Sequence, residues 1–276
     1  MRKQLGRFRE RFLRGVVKCG VGITRLLPMG LWLRIREEAS VVRQLDYTRR
    51  PIYICVDSWI ENDVRLYPCS KEPYTVEWIE GWFKPGDVFY DIGANIGAYS
   101  LIVFKFLGGQ TKIYAFEPGF VAFPQLCRNI YLNGGGKSIV PLQIALAHET
   151  SIAKFNYQNL VSGGALHSLG AAVDYLGRDF EPVLSLDALS YRLDDFVEQF
   201  GLQTPNHIKV DVDGTEYQVL QGSEKILGRP KLRSVLVEVH QERGIGGDIA
   251  RLLEKNGFVL QGRRDENSLF CRKDLP

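Results

Sequence analysis

Residues 88–97, Val-Phe-Tyr-Asp-Ile-Gly-Ala-Asn-Ile-Gly, restrict the fold more than any other part of the chain. The apolar run 88–91, closed by an acid, has the length and composition of a short buried strand. Two glycines four apart, Gly93 and Gly97, follow at once, and residues 98–107 read as a helix. A strand that breaks at glycine and re-enters a helix is the turn on which nucleotide-binding α/β domains are built. Gly93 supplies a positive φ, and Gly97 lets the helix and a ligand approach closely. The new helix points free backbone N–H groups over the strand end.

The glycine spacing differs from G-x-G-x-x-G, the pattern that brings pyrophosphate against the backbone. Ala94-Asn95 fills the middle of the loop, and Asp91 stands two residues before the first glycine. A carboxylate beside the loop repels pyrophosphate and suits a ligand that carries a cation. Glu117 follows the next expected strand, residues 112–116, where an acid accepts two hydrogen bonds from a ribose diol. Asp91, Gly93, Gly97 and Glu117 together favour S-adenosylmethionine, which carries an ammonium and a sulfonium and no phosphate. Asn95 is positioned for the methionine carboxylate. Ala145 ends a third expected strand, 139–146, and leaves room for adenine. Two alternatives stand beside this reading: an NAD(P)-dependent oxidoreductase, and a catalytically silent module that keeps the fold.

From residue 88 onward, strand and helix patterns alternate as a parallel sheet requires. Helices are expected over 120–132 and up to Phe200, strands over 152–157, 208–212 and 234–239, and a terminal antiparallel pair over 257–261 and 268–272. The expected fold class is therefore α/β, a Rossmann-like sheet with helices on both faces and an antiparallel C-terminal strand pair. Residues 158–177, rich in Gly, Ser and Ala and containing His167, have the composition of a lid or disordered loop. Residues 52–56 and 64–67 read as strands of a small layer before the nucleotide domain, and 76–83 as a helix. The division expected is 1–84, an N-terminal extension, and 85–276, the α/β domain.

The first 38 residues hold ten Lys or Arg against three acids, with Leu5, Phe8, Phe12 and Val16 at helical spacing. Such a segment either packs its apolar stripe on protein or lies on an anionic membrane surface. The net charge of the whole chain, +3, gives no reason to expect a nucleic-acid partner. Five scattered cysteines without a C-x-x-C pair fit free thiols in a reducing cytoplasm. No run of about 18 apolar residues is present, so no spanning helix is expected.

The second informative stretch is 207–216, His-Ile-Lys-Val-Asp-Val-Asp-Gly-Thr-Glu. Asp211, Asp213 and Glu216 fall at the strand's C-terminal end, in the same crevice as the glycine turn. Period-two alternation puts Glu238 and His240 on one face of the next strand. Asp211 and His240 are the candidate catalytic bases, with His167 behind them, because a group that takes a hydroxyl proton needs both reach and a suitable pKa. Asp211, Asp213, Glu238 and His240 would also serve a divalent ion if they converged; the reading adopted is that no metal is needed.

These motifs carry a resemblance. Asp91 to Gly97, Ala115-Phe116-Glu117-Pro118, Ser185-Leu186-Asp187-Ala188-Leu189 and Ile208 to Glu216, in this order, resemble the FkbM-type methyltransferases. The similarity runs over roughly 86–240. It implies a class I methyltransferase fold, S-adenosylmethionine as donor, and a hydroxyl on a sugar, glycan, polyketide or other secondary metabolite as acceptor. Asp213 stands where the family usually has Glu, one methylene shorter.

Overall fold

The computed structural model describes residues 28–38, 41–240 and 244–273. The basic, periodic stretch of the first 27 residues lies outside them. The chain divides into two units between Val41 and Val42. The described part of the first unit is chiefly a ten-residue helix, α1 (Met29–Glu38), whose Met29, Leu31 and Leu33 side chains are exposed.

The second unit is built on a seven-stranded sheet of order β12-β13-β11-β10-β3-β4-β5. Its parallel members are β3 (Val88–Ile92), β4 (Lys112–Phe116), β5 (Ile139–Leu142), β10 (His207–Val210) and β11 (Ser234–Glu238). β13 (Asn267–Arg272) joins antiparallel to β11, and β12 (Phe258–Arg264) antiparallel to β13. Successive strands run outward from β3 in one direction and from β10 in the other. The switch point is the seam where Ile92 pairs with Val210, the place where open α/β sheets bind ligands.

All five residues of β3 are buried, so the strand has an apolar face on each side. Val88, Tyr90 and Ile92 join the core under α6 (Leu193–Phe200), α7 (Glu216–Gln221), α8 (Glu224–Leu227) and α9 (Gly246–Lys255). Phe89, with Ile113, Ala115 and Leu236, joins the opposite layer under α3 (Pro73–Trp82), α4 (Ala98–Phe106) and α5 (Phe123–Leu132). Burial of a side chain such as Phe89 contributes about 2–3 kcal/mol. Leu45, Ile52, Ile54 and Trp78 belong to that second layer, so residues 45–83 help build the core of the α/β unit.

Two local expectations are corrected. Residues 64–67, expected as a strand, belong to a π-helical turn, Glu61–Arg65, and the residues just after it. The fully buried Glu61 decides this: its Oε2 accepts the N–H groups of Asp57 (2.6 Å) and Ser58 (3.0 Å), which fixes a helical turn. The third strand, expected as 139–146, splits. Ile139–Leu142 stays at the sheet edge, where Pro141 is tolerated. β6 (Ala145–Leu146) leaves for a second, four-stranded sheet of order β6-β9-β7-β8, with β9 (Leu184–Tyr191), β7 (Ser151–Tyr157) and β8 (Ser168–Leu169).

Candidate active site

A cavity of about 490 Å³ opens over the C-terminal ends of β3, β4, β10 and β11. Its walls include Gly93, Asn95, Glu117, Ala145, His167, Asp211 and His240, so seven of the nine candidate residues meet in one place.

Asp91 and Gly97 do not line it. Asp91 is 1% exposed, and its Oδ2 accepts the N–H (3.1 Å) and the hydroxyl (2.6 Å) of Ser100 in the first turn of α4. It holds that helix start in place, where the helix dipole favours an anion. Burial raises its pKa, and the Lys209 ammonium opposes the rise. Gly97 has φ +88°, and a Cβ there would sit 2.6 Å from Leu126 Cδ1, so its approach serves helix–helix packing. Gly93, φ +83°, has the backbone oxygen of Asp211 1.8 Å from where a Cβ would be. The glycine turn and the end of β10 are thus locked together by contact.

Glu117, buried beneath the turn, accepts the N–H of Asn95 (2.8 Å) and of Gly119 (2.7 Å). Burial pushes its pKa up to about 7 against those two bonds. Asn95 has φ +49°; its Nδ2 donates to the Gly164 carbonyl (2.8 Å), while its Oδ1 is buried without a partner. Residues 159–167, expected as a lid or disordered loop, are tied across the cavity. The Leu166 N–H donates to Asp213 (2.6 Å), Arg65 Nε to Gly163 O (2.8 Å) and Ser58 Oγ to Ser162 O (2.6 Å). Among the described residues, four non-glycines have positive φ, and three of them, Asn95, Leu166 and Asp213, line this cavity. Strain of this kind concentrates at working sites.

Charged side chains crowd the far wall. Lys209 is 2% exposed, and its Nζ lies 2.5 Å from Asp211 Oδ2 and 4.7 Å from the centre of the Tyr99 ring. Burial would lower the Lys209 pKa, but Asp211, Glu72 and Asp91 hold it above the usual ammonium range. Burial would raise Asp211, but Lys209 holds it below the carboxylate range. Glu238, hydrogen-bonded to Asp211, is pushed up to about 8 by the Asp211 charge and by burial. His240 Nε2 is 3.4 Å from Glu238 Oε2, and the hydrogen bond to Glu238 raises its pKa to about 9. Burial and the Asp211 charge bring Asp213 to about 6. His167 is lowered to about 4 by burial, and its Nδ1 accepts the Gln158 N–H at 3.3 Å. It therefore packs the loop as a neutral ring. Asp211, Glu238 and His240 come together around Lys209 and one another, a convergence that the sequence leaves open. Among the described residues, no group of three or more His, Cys, Asp or Glu is arranged to hold a metal ion.

Lys209, Trp59, Arg65 and Tyr175 also bear on this site without belonging to any of the motifs above as ligand or base candidates. For Lys209 a signal existed: a charged residue inside the otherwise buried strand 207–210, in step with Asp211. Trp59 and Arg65 arrive from a segment distant in sequence and carry no motif.

The sheet order, the switch-point cavity and its acid-rich wall define a class I methyltransferase arrangement. A family model described as the Methyltransferase FkbM domain matches residues 91–260, more than half of the chain, and the chain belongs to that family. Among curated proteins, it is 29% identical over 202 residues to the 31-O-demethyl-FK506 methyltransferase FkbM of Streptomyces tacrolimicus, covering 66% of this chain and 76% of the relative. It is 27% identical over 191 residues to the hexuronic acid methyltransferase AglP of Haloferax volcanii, covering 68% and 71%. A solved structure of methyltransferase FkbM from Methylobacillus flagellatus superposes with a TM-score of 0.47 at 15% identity, covering 68% of this chain and 44% of that one. No described helix is long and apolar enough to cross a membrane.

Proposed function

We propose that this chain is an S-adenosylmethionine-dependent O-methyltransferase whose acceptor is a hydroxyl on a sugar, glycan or secondary metabolite. The observation that carries the reading is that carboxyl groups from the ends of β4, β10 and β11, Glu117, Asp211 and Glu238, face one cavity beside the glycine turn that follows β3. The residues present fit the donor. Asn95 Oδ1, buried and unpartnered, is an acceptor left for a ligand's N–H or O–H group. The Glu117 carboxyl keeps lone pairs for a diol while it holds the turn. Ala145 is buried in the cavity lining, with Ile144, Leu146 and Phe155 supplying apolar surface for a flat base.

When bound, S-adenosylmethionine supplies a methyl group on a cationic sulfur. The chain's own part is to hold donor and hydroxyl in line, which is worth roughly 7–11 kcal/mol in such reactions, and to receive the hydroxyl proton. The groups available for that in the cavity wall are the linked side chains of Asp211, Glu238 and His240. The exposed indole of Trp59 at the cavity's edge offers a face for a sugar ring or macrocycle. The names of the two curated relatives, one acting at a numbered oxygen and one on a hexuronic acid, support the same class of acceptor. The test is a screen of methyl glycosides, hexuronates and hydroxylated macrolides with methyl-labelled donor. Label is expected in an ether methyl. Label that enters only amine or carbon positions would refute the O-methyl assignment.

A further inference from the structure

We propose that Glu238 takes the hydroxyl proton of the methyl acceptor, with Asp211 on one side and His240 on the other holding it ready. This rests on the methyl-transfer reading above.

Asp211, the obvious base from sequence, is committed elsewhere. Its Oδ2 is 2.5 Å from the ammonium of the buried Lys209, and a carboxylate held by a buried cation keeps its negative charge rather than accepting a proton. Glu238 is next in line, hydrogen-bonded to Asp211 and lining the same cavity. Two carboxyls in contact hold one proton between them, and Lys209 assigns the charge to Asp211, so the proton belongs to Glu238. His240 Nε2, 3.4 Å away, can share it. Beyond His240, Glu266 Oε1 lies 3.5 Å from Nδ1 with its side chain 58% exposed, which leads from the cavity to solvent.

A cation in the cavity favours the ionised form of Glu238. Arrival of the sulfonium therefore expels the proton and leaves a free carboxylate. As the hydroxyl oxygen's lone pair forms the C–O bond, the C–S bond breaks and its electron pair stays on sulfur. The O–H proton passes to Glu238, which gives it up through His240 only when the next cationic donor arrives. The product thioether is neutral, so nothing then displaces the proton until the next donor binds. The other titratable groups near the cluster are Asp91 from β3, Lys71 and Glu72 from the segment before α3, Tyr99 from α4, Asp213 and Glu216 after β10, and Glu266 from the β12–β13 turn.

Calorimetry of the whole chain, in buffers of different ionisation heat at pH 8, counts the protons released when S-adenosylmethionine or S-adenosylhomocysteine binds. Glu238 titrates near this pH, Glu117 (about 7) and Asp213 (about 6) are mostly ionised already, and His240 (about 9) is mostly protonated, so the Glu238→Gln variant is what separates the Glu238 share. The cationic ligand is expected to release about half a proton more than the neutral one, because a half-protonated group becomes ionised. The difference should vanish in Glu238→Gln, with both ligands still bound, and return in Glu238→Asp. Equal counts in the unaltered chain, or a difference that persists in Glu238→Gln, would overturn the proposal. Failure of both ligands to bind would instead remove the methyl-transfer reading on which it rests.

Discussion

Strand β10 has a buried histidine at one end and a buried ion pair at the other, and the two ends do opposite work. At its start, Trp78 Nε1 donates to Ser234 Oγ (2.8 Å), Ser234 lies 2.6 Å from His207 Nδ1, and His207 Nε2 lies 3.2 Å from Asp87 Oδ2. By residue type this is Ser, His and Asp in sequence of contact, as in a nucleophilic triad. But Ser234 and His207 are 0% exposed, the Phe83 ring stacks on His207 with centroids 4.0 Å apart, and none of these residues touches the cavity. At its far end, the Lys209–Asp211 ion pair adjoins Glu238 and His240, and three of the four line an open cavity, where His240 Nδ1 makes no hydrogen bond and only the half-exposed Glu266 is near it. Satisfied polar groups without access fasten a fold, whereas incompletely satisfied ones beside a cavity are available for chemistry.

If that contrast is right, the two ends respond differently to mutation. His207→Ala should cost about 3 kcal/mol of unfolding free energy, because it empties a fully buried ring site and removes one of the bonds made by each of Asp87 and Ser234. Urea denaturation reads the loss, and S-adenosylhomocysteine affinity should change less than about threefold, a small effect in free energy. Glu117→Ala should show the reverse pattern. Leaving the Asn95 and Gly119 N–H groups without their acceptor should weaken donor binding about 30-fold, or roughly 2 kcal/mol; a calorimetric titration decides.

Acid should attack the lower end of the strand. Burial lowers His207 to about 4, against about 6.5 in an unfolded chain. The unfolded state therefore binds its proton first, so this contribution is present above about pH 6.5 and is lost as pH falls toward 4. The urea midpoint should drop over that interval, and a midpoint independent of pH there would contradict the assignment. Asp91→Ala gives the smallest change, about 1 kcal/mol of stability from a lost helix-start contact. Its effect on donor affinity should be weaker than that of Glu117→Ala, since Asp91 lies behind the turn.

Sequence alone showed the turn, the sheet and most of the cavity because each depends on neighbours in the chain. Strand β4 was placed at its observed bounds, and period-two alternation put Glu238 with His240. What escaped depends on distant partners. The motif points Asp91 at a ligand, whereas in the fold Ser100, nine residues on, takes its Oδ2. Residues 64–67 alternate like a strand, but the capping bonds of Glu61 impose a helical turn. The ordering of 159–167 came from Asn95, Asp213, Ser58 and Arg65, none of them close in sequence. Gly97 carried its conformational signal plainly, yet whether a ligand or Leu126 filled the space beside it could be seen only after folding.

The central claim is that this acid-walled cavity at the switch point receives a cationic methyl donor and its product. Titration of the folded chain with S-adenosylhomocysteine tests it most directly, with NADH as the rival ligand. One saturable site for the thioether and none for the dinucleotide is the predicted result. Saturation by NADH, with no binding of the thioether to protein shown to be folded, would contradict it.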